Sequence, residues 1–270
     1  MKIEELHDHL YDVLCTIDDI CKKNNVRYFL DSGTEIGAVR ELNFIPWDDD
    51  MDLKVLMKDY PKFKAVLEKE LPPYMHLIEP DAFSPYFYDF TIRIYDERYC
   101  LHEDKKLTDG RINYENYVGT DVFLFCKAPN GKLSQTIFTI ALKTFYGMGM
   151  SHRYSLDYSK YSFMQKMQIR ILSLMGKNKS VSEIWQVYCK FCSKWENKDT
   201  RYYYPVNYPI EYIDGVYSRF FDKKIYSGDA DGIIRNRKFP IPSGYDEELK
   251  QQYGEYMRPP KNKEAYRRHL

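Results

Sequence analysis

Four carboxylates, Asp48, Asp49, Asp50 and Asp52, fall within five residues directly after the turn Asn43-Phe44-Ile45-Pro46-Trp47. Groups so close repel one another unless water or a cation neutralises them. Charge alone would fit an acidic surface loop, but Pro46-Trp47 argues against a floppy segment, and the pattern that follows alternates. Asp50 and Asp52 project to one side while Met51, Leu53 and Val55 project to the other, as in a half-buried strand. Two carboxylates on one side of a strand can share one ion.

The residues upstream and downstream extend this reading. Residues 26–30 form a short apolar run that breaks at Ser32-Gly33-Thr34, and residues 34–40 read as a short helix. A strand, a small turn and a helix start offer unpaired backbone N–H groups to a phosphate. Residues 119–125 read as another strand, with Asp121 inside an otherwise apolar run. A carboxylate buried without a partner is costly, so Asp121 is expected to face a metal ion or an arginine. An EF-hand calcium loop requires Gly and Glu at its sixth and twelfth positions, and Leu53 and Asp59 stand there. A glycosyltransferase DxD usually follows a long nucleotide-binding half, whereas one helix and one strand precede Asp50. A polymerase-β-type site needs a small turn, an Asp-x-Asp strand and a third carboxylate on a later strand, and this chain supplies all three.

The remaining sequence sets the frame. The 270 residues carry 40 basic and 40 acidic side chains, so no field of one sign recommends nucleic acid as a partner. Six scattered cysteines suggest reduced thiols in a cytoplasm, and Cys189 and Cys192 form a lone CxxC. No apolar run approaches the ~18 residues of a membrane span. Residues 3–23 predict an amphipathic helix, in which His7 and His9 do not share a face. Helices are also expected at 58–71, 137–146, 161–175, 181–195 and 245–253, a strand at 91–95, and short strands within 200–245. His102 and His152 are expected on the surface and His269 in the terminal tail. Between Leu133 and Lys179 acids are scarce while Lys143, Arg153, Lys160, Lys166, Arg170, Lys177 and Lys179 alternate with apolar residues. That stretch admits two readings, a solvated helical subdomain or a peripheral contact with an anionic membrane.

At this point whole motifs resemble a known family. Leu30-Asp31-Ser32-Gly33-Thr34, Gly37-Ala38-Val39-Arg40 and Phe44-Ile45-Pro46-Trp47-Asp48-Asp49-Asp50-Met51-Asp52 resemble the signature of the LicD family, whose relatives include the fukutins. Thr120-Asp121-Val122-Phe123 resembles its later Asp strand. Pro242-Ser243-Gly244-Tyr245-Asp246, Tyr253-Gly254-Glu255-Tyr256-Met257 and Pro259-Pro260 resemble its C-terminal signature. In this chain Ser32 stands where a second Gly is common, and Glu35 replaces the usual apolar residue.

The resemblance implies an α+β, nucleotidyltransferase (polymerase-β-like) fold, a mixed sheet flanked by helices with a helical insertion. Residues 1–130 would be the catalytic core, 131–200 the insertion, and 201–270 a segment completing the core and substrate site. It also implies Mg²⁺- or Mn²⁺-dependent transfer of phosphocholine from CDP-choline to a sugar of a teichoic acid or other lipid-linked glycan precursor, at the cytoplasmic face of the membrane. Transfer of glycerol or ribitol phosphate, nucleotidyl transfer, and a degenerate glycan-binding domain are the alternatives. Asp50, Asp52 and Asp121 would hold the metal, with Asp121 taking the acceptor proton. Ser32, Gly33 and Thr34 would bind donor phosphate, and Arg40, Asp48 and Arg93 would border it. Trp47 and Tyr245 would face the choline ammonium.

Overall fold

The computed structural model describes residues 1–87, 89–102, 106, 109, 110, 113–153, 157–207 and 219–260. Its elements, in chain order, are α1 (Ile3–Lys23), β1 (Phe29–Leu30), α2 (Ser32–Ile36), β2 (Asp52–Leu56), α3 (Tyr60–Glu70), β3 (Met75–Ile78), β4 (Ile92–Cys100), β5 (Tyr117–Ala128), α4 (Lys132–Gly149), α5 (Phe163–Gly176), α6 (Val181–Cys192), β6 (Tyr202–Pro205), β7 (Phe221–Asp222), β8 (Asp229–Ile234), β9 (Arg237–Pro242) and α7 (Tyr245–Tyr253). The fold is α+β, a mixed sheet flanked by helices, as the sequence reading expects.

The main sheet runs β1-β2-β5-β4-β3. Its one parallel pair is β2 with β5; β1, β3, β4, β6 and β7 all pair antiparallel to their neighbours. β5 is long enough to serve two partners along one edge, β4 over its first half and β6 over Phe125–Ala128. A separate hairpin, β8 with β9, packs over the start of the chain: Arg237 bonds Asp18 and Asp19 of α1, and Arg27 bonds Asp229.

α1 forms where the apolar spacing demands it, burying Leu6, Leu10, Val13, Leu14 and Ile17 against the sheet. Acidic Glu4 and Glu5 sit in its first turn and Lys22 and Lys23 in its last, both favourable to the helix dipole. The local run at 26–30 pairs only at Phe29–Leu30. The helix after it begins at Ser32 and widens into a π-helical turn, Gly37–Glu41, ending at Leu42 with φ +54°. Gly37 permits this turn, because a Cβ there would press on the Asn43 carbonyl and the Ile45 amide.

β2 departs from the half-buried strand that alternation predicts: Leu53, Lys54, Val55 and Leu56 are all buried. A second apolar cluster, Phe29, Leu56, Phe125, Tyr203, Phe221, Ile225 and Tyr226, covers the face that alternation assigned to solvent. Four of those partners, Tyr203, Phe221, Ile225 and Tyr226, come from the C-terminal part of the chain and leave no mark on residues 50–57 themselves. β3 also escapes the sequence reading, since Met-His-Leu-Ile is too short to show a period.

Candidate active site

The parallel register of β2 and β5 sets Asp52 directly opposite Asp121, and the antiparallel register of β5 and β4 sets Asp121 opposite Arg93. Residues paired this way point to the same side of the sheet. One row therefore crosses three strands: Asp52, Asp121, Arg93. Arg93 Nη1 donates to Asp121 Oδ1 at 2.6 Å and Nη2 donates to the Tyr117 carbonyl at 2.9 Å. The arginine that Asp121 was expected to face is thus its cross-strand neighbour. Asp50 comes two residues before the row, and a shallow cleft lined by Asp49, Asp50, Arg93, Tyr117, Gly119 and Asp121 opens there.

The acidic turn is fixed from several sides. The Asp52 amide donates to Thr34 Oγ1 at 2.9 Å, and the Asp121 amide donates to the Met51 carbonyl. The Thr34 hydroxyl is buried in that role rather than presented to a ligand. Gly33 meets Asp48 so closely that a Cβ would overlap Asp48 Oδ2. Ser32, at φ +50°, shares a hydrogen bond with Tyr253 of α7, whose ring stays partly exposed. His7 Nε2 meets the Asp48 carbonyl at 2.8 Å and its ring stacks on Phe44, so α1 braces the turn. Burial lowers the His7 pKa, with the Asp48 contact opposing.

Beneath this row lies a charge cluster that sequence reasoning missed. Lys54 follows Asp52 by two positions on β2, hence on the same face, and is fully buried. Its Nζ lies 2.9 Å from Asp31 Oδ1, 2.9 Å from Glu35 Oε2 and 2.5 Å from Glu248 Oε1. Tyr226 also donates to Glu248, at 2.9 Å. Asp31, Glu35 and Glu248 bring ligand oxygens within 4.8 Å of one another, a spacing that could hold a metal ion, and among the described residues they are the group with that spacing. The Lys54 ammonium sits against all three. Burial first, then the neighbouring acids, push Glu35 well above the usual carboxylate range, with Lys54 opposing; Glu248 is raised in the same sense. The only sequence signal was Glu35 standing in a helix where an apolar residue is usual, and Lys54 within an apolar strand.

Asp52 itself is pushed well above the usual carboxylate range, by burial first and then by Asp50, Asp121, Asp31 and Asp48. A divalent cation among these acids would offset both causes, and an all-oxygen donor set suits a hard ion. Asp50, Asp52 and Asp121 do not share the close spacing of the Lys54 cluster, and Asp121 is paired with Arg93 at 2.6 Å. Glu115, in the turn before β5, was also missed: burial and then the Asp121 charge raise its carboxyl to about 8, with Arg153 opposing.

The flanking candidates come together in part. Trp47 and Tyr245 pack against the same cluster of Ile36, Ile45, Leu249 and Tyr256. Arg40 lies 5.8 Å over the Trp47 ring, and donates to Glu41 and to the Tyr256 carbonyl, leaving one buried nitrogen, Nη2, without a partner. Elsewhere, Cys189 and Cys192 lie on α6, where burial raises both thiols, and Cys192 hydrogen-bonds Cys126 of β5. His102 lends its carbonyl to Asn116, and His152 Nε2 meets the Gly176 carbonyl. His269 is outside the described residues.

Comparison with known proteins agrees with this architecture. The model of a family described as "LicD/FKTN/FKRP, nucleotidyltransferase domain" matches residues 25–167. The chain is 24% identical over 261 residues to the lipopolysaccharide cholinephosphotransferase LicD of Haemophilus influenzae, covering 93% of this chain and 89% of that protein. It is also 38% identical over 58 residues to an uncharacterized protein of Rickettsia typhi, covering 22% of this chain and 19% of that one. The family match takes in α2, the acidic turn, the Asp52–Asp121–Arg93 row and α4, and the chain belongs to the LicD/FKTN/FKRP family.

Proposed function

We propose that this protein transfers phosphocholine from CDP-choline to a sugar hydroxyl of a surface-glycan precursor, either a lipopolysaccharide-type or a teichoic-acid-type acceptor. The observation that carries the reading is the row of Asp52, Asp121 and Arg93 across three strands with Asp50 beside it. The cholinephosphotransferase relative, aligned over most of both chains, supports the choice of cargo.

In this reading Asp50, Asp52 and Asp121 hold Mg²⁺, or Mn²⁺ in its place. The ion, when bound, neutralises charge on the phosphates and lowers the cost of the in-line displacement. The residues of the chain do the rest. Asp121, oriented by Arg93, accepts the proton of the acceptor hydroxyl. The freed oxygen attacks the phosphorus that bears choline, the bond from that phosphorus to the bridging oxygen breaks, and CMP leaves with the electron pair. The partly exposed start of α2, Ser32 and Gly33, faces the donor phosphates, while Thr34 serves indirectly by holding the Asp52 backbone. Arg40 has one open donor, Nη2, for the same charge. Asp48 keeps the turn closed against Gly33. The choline ammonium rests on the aromatic surface of Trp47 and Tyr245, on the side that Arg40 does not cover.

Among the described residues no helix is long and apolar enough to cross a membrane. In the proposed reading a lipid-linked acceptor is met at the membrane surface, on its cytoplasmic face. The test is a screen of CDP-choline, CDP-glycerol and CDP-ribitol with candidate acceptors, reading CMP release and acceptor mass. CDP-choline should release CMP and add one phosphocholine to the acceptor. An acceptor that instead gains a nucleotide would establish nucleotidyl transfer on the same row of residues, and another donor preferred at equal concentration would reassign the cargo.

A further inference from the structure

The described surface carries its densest group of exposed apolar side chains on α5. Phe163, Met164, Met167, Ile171, Leu174 and Met175 all face outward, Phe163 at 77% and Leu174 at 72% exposure. Their spacing, i, i+1, i+4, i+8, i+11 and i+12, is that of one helix face. Only Ile169 and Gly176 of this helix are buried. A surface helix ordinarily turns mainly polar residues to water, whereas α5 exposes this apolar stripe beside Gln168 and Arg170. α4, which packs on α5 where Gly147 meets Leu172 and where Gly176 meets Met148, adds exposed Leu133, Ile137 and Ile140 at i, i+4 and i+7.

Charge selects the occupant. Neither α4 nor α5 contains an acidic residue, and between Leu133 and Lys179 the sequence has a single one, Asp157. Lys166 and Arg170 lie within α5, Lys177 and Lys179 just beyond it, and Lys143 on α4. Arg153, by contrast, turns away to pair with Asp89. Two copies meeting through α5 would bring these cations together without an acid from either helix to offset them. A surface of anionic lipid headgroups over acyl chains matches both the cations and the apolar stripe.

We propose that α5, with the first turns of α4, docks on an anionic lipid surface, its apolar stripe at the acyl boundary and its Lys and Arg among the phosphates. Fourteen residues span roughly 21 Å, so the helix lies on the bilayer and does not cross it. This deepens the reading of a lipid-linked acceptor, and its test uses no substrate, so the two stand or fall separately.

The test is co-sedimentation of the full chain with vesicles of phosphatidylcholine alone and of phosphatidylcholine mixed with phosphatidylglycerol, with hydrogen exchange to locate the contact. The chain should bind the mixed vesicles, release in high salt, and gain protection over residues 163–176. Ile171→Asp with Leu174→Asp should abolish binding, and Lys166→Gln with Arg170→Gln should weaken it about tenfold or more. All four residues point outward or lie at the surface, so melting of both variants should match wild type. A wild-type chain that stays in the supernatant with the mixed vesicles, or a double-Asp variant that binds as wild type does, would overturn the proposal. So would a dimer in solution that the double-Asp change dissolves, because a second copy would then own the stripe.

Discussion

Lys54 shows how one buried cation can hold several elements together. Its ammonium reaches Asp31 before α2, Glu35 within α2 and Glu248 of α7. Removing one member of a buried ionic group leaves the others uncompensated, which costs about 3–5 kcal/mol, whereas replacing the whole group with apolar residues is often neutral. Lys54→Met should therefore lower stability by about that amount in chemical denaturation. Adding Asp31→Leu, Glu35→Leu and Glu248→Leu to it should recover most of the loss; a quadruple variant no better than the single one would contradict this account of the cluster. A second residue-scale prediction concerns Glu115. Its folded-state pKa of about 8 lies above the ordinary 4.5, so the fold favours the protonated form. That contribution is complete below 4.5 and is lost as pH rises toward about 8. With a chelator present, wild type should lose stability relative to Glu115→Gln across that window and run parallel to it above. Asp50, Asp52 and Asp121 were legible from the sequence because carboxylates in apolar strands announce a cost. Lys54, Glu35 and Glu248 were not, because each is balanced by residues 19 to 194 positions away, and Glu115 owes its shift to burial that only the fold creates.

At the scale of elements, α2 and β2 are joined by the Lys54–Glu35 ion pair and by a bond from the Asp52 amide to Thr34 Oγ1. Thr34→Val keeps the shape and removes the acceptor, so it should cost about 1–3 kcal/mol and cut turnover by more than that stability loss explains. Turnover equal to wild type at temperatures where the variant is folded would show that Thr34 does not position Asp52. Periodicity found α1 and α7 to the residue or nearly so, because each presents a long single apolar face or a clear start. It set β2 too exposed, since its second face is covered by Tyr203, Phe221 and Tyr226 from the end of the chain. The π-helical turn at Gly37–Glu41 has no period of its own and read as ordinary helix; the closeness of Gly37 to Asn43 and Ile45 is what requires it.

For the molecule as a whole, the sequence places a turn, an Asp-x-Asp strand and a distant Asp in one centre, and the sheet order gives this a concrete form. β2 and β5 are neighbours, and their parallel register puts Asp52 against Asp121 although 69 residues separate the strands' facing bonds. The most direct measurement is CMP release from CDP-choline by wild type, Asp52→Asn and Asp50→Asn, over a titration of Mg²⁺, with denaturation curves recorded in parallel without divalent ions. Both changes remove charge from a self-repelling group, so each variant should be as stable as wild type or more so without the ion. Each should also lose transfer by several orders of magnitude, and the stabilisation that Mg²⁺ gives to wild type should shrink. Transfer retained in Asp52→Asn, with Mg²⁺ still required, would contradict the assignment of the centre to this row.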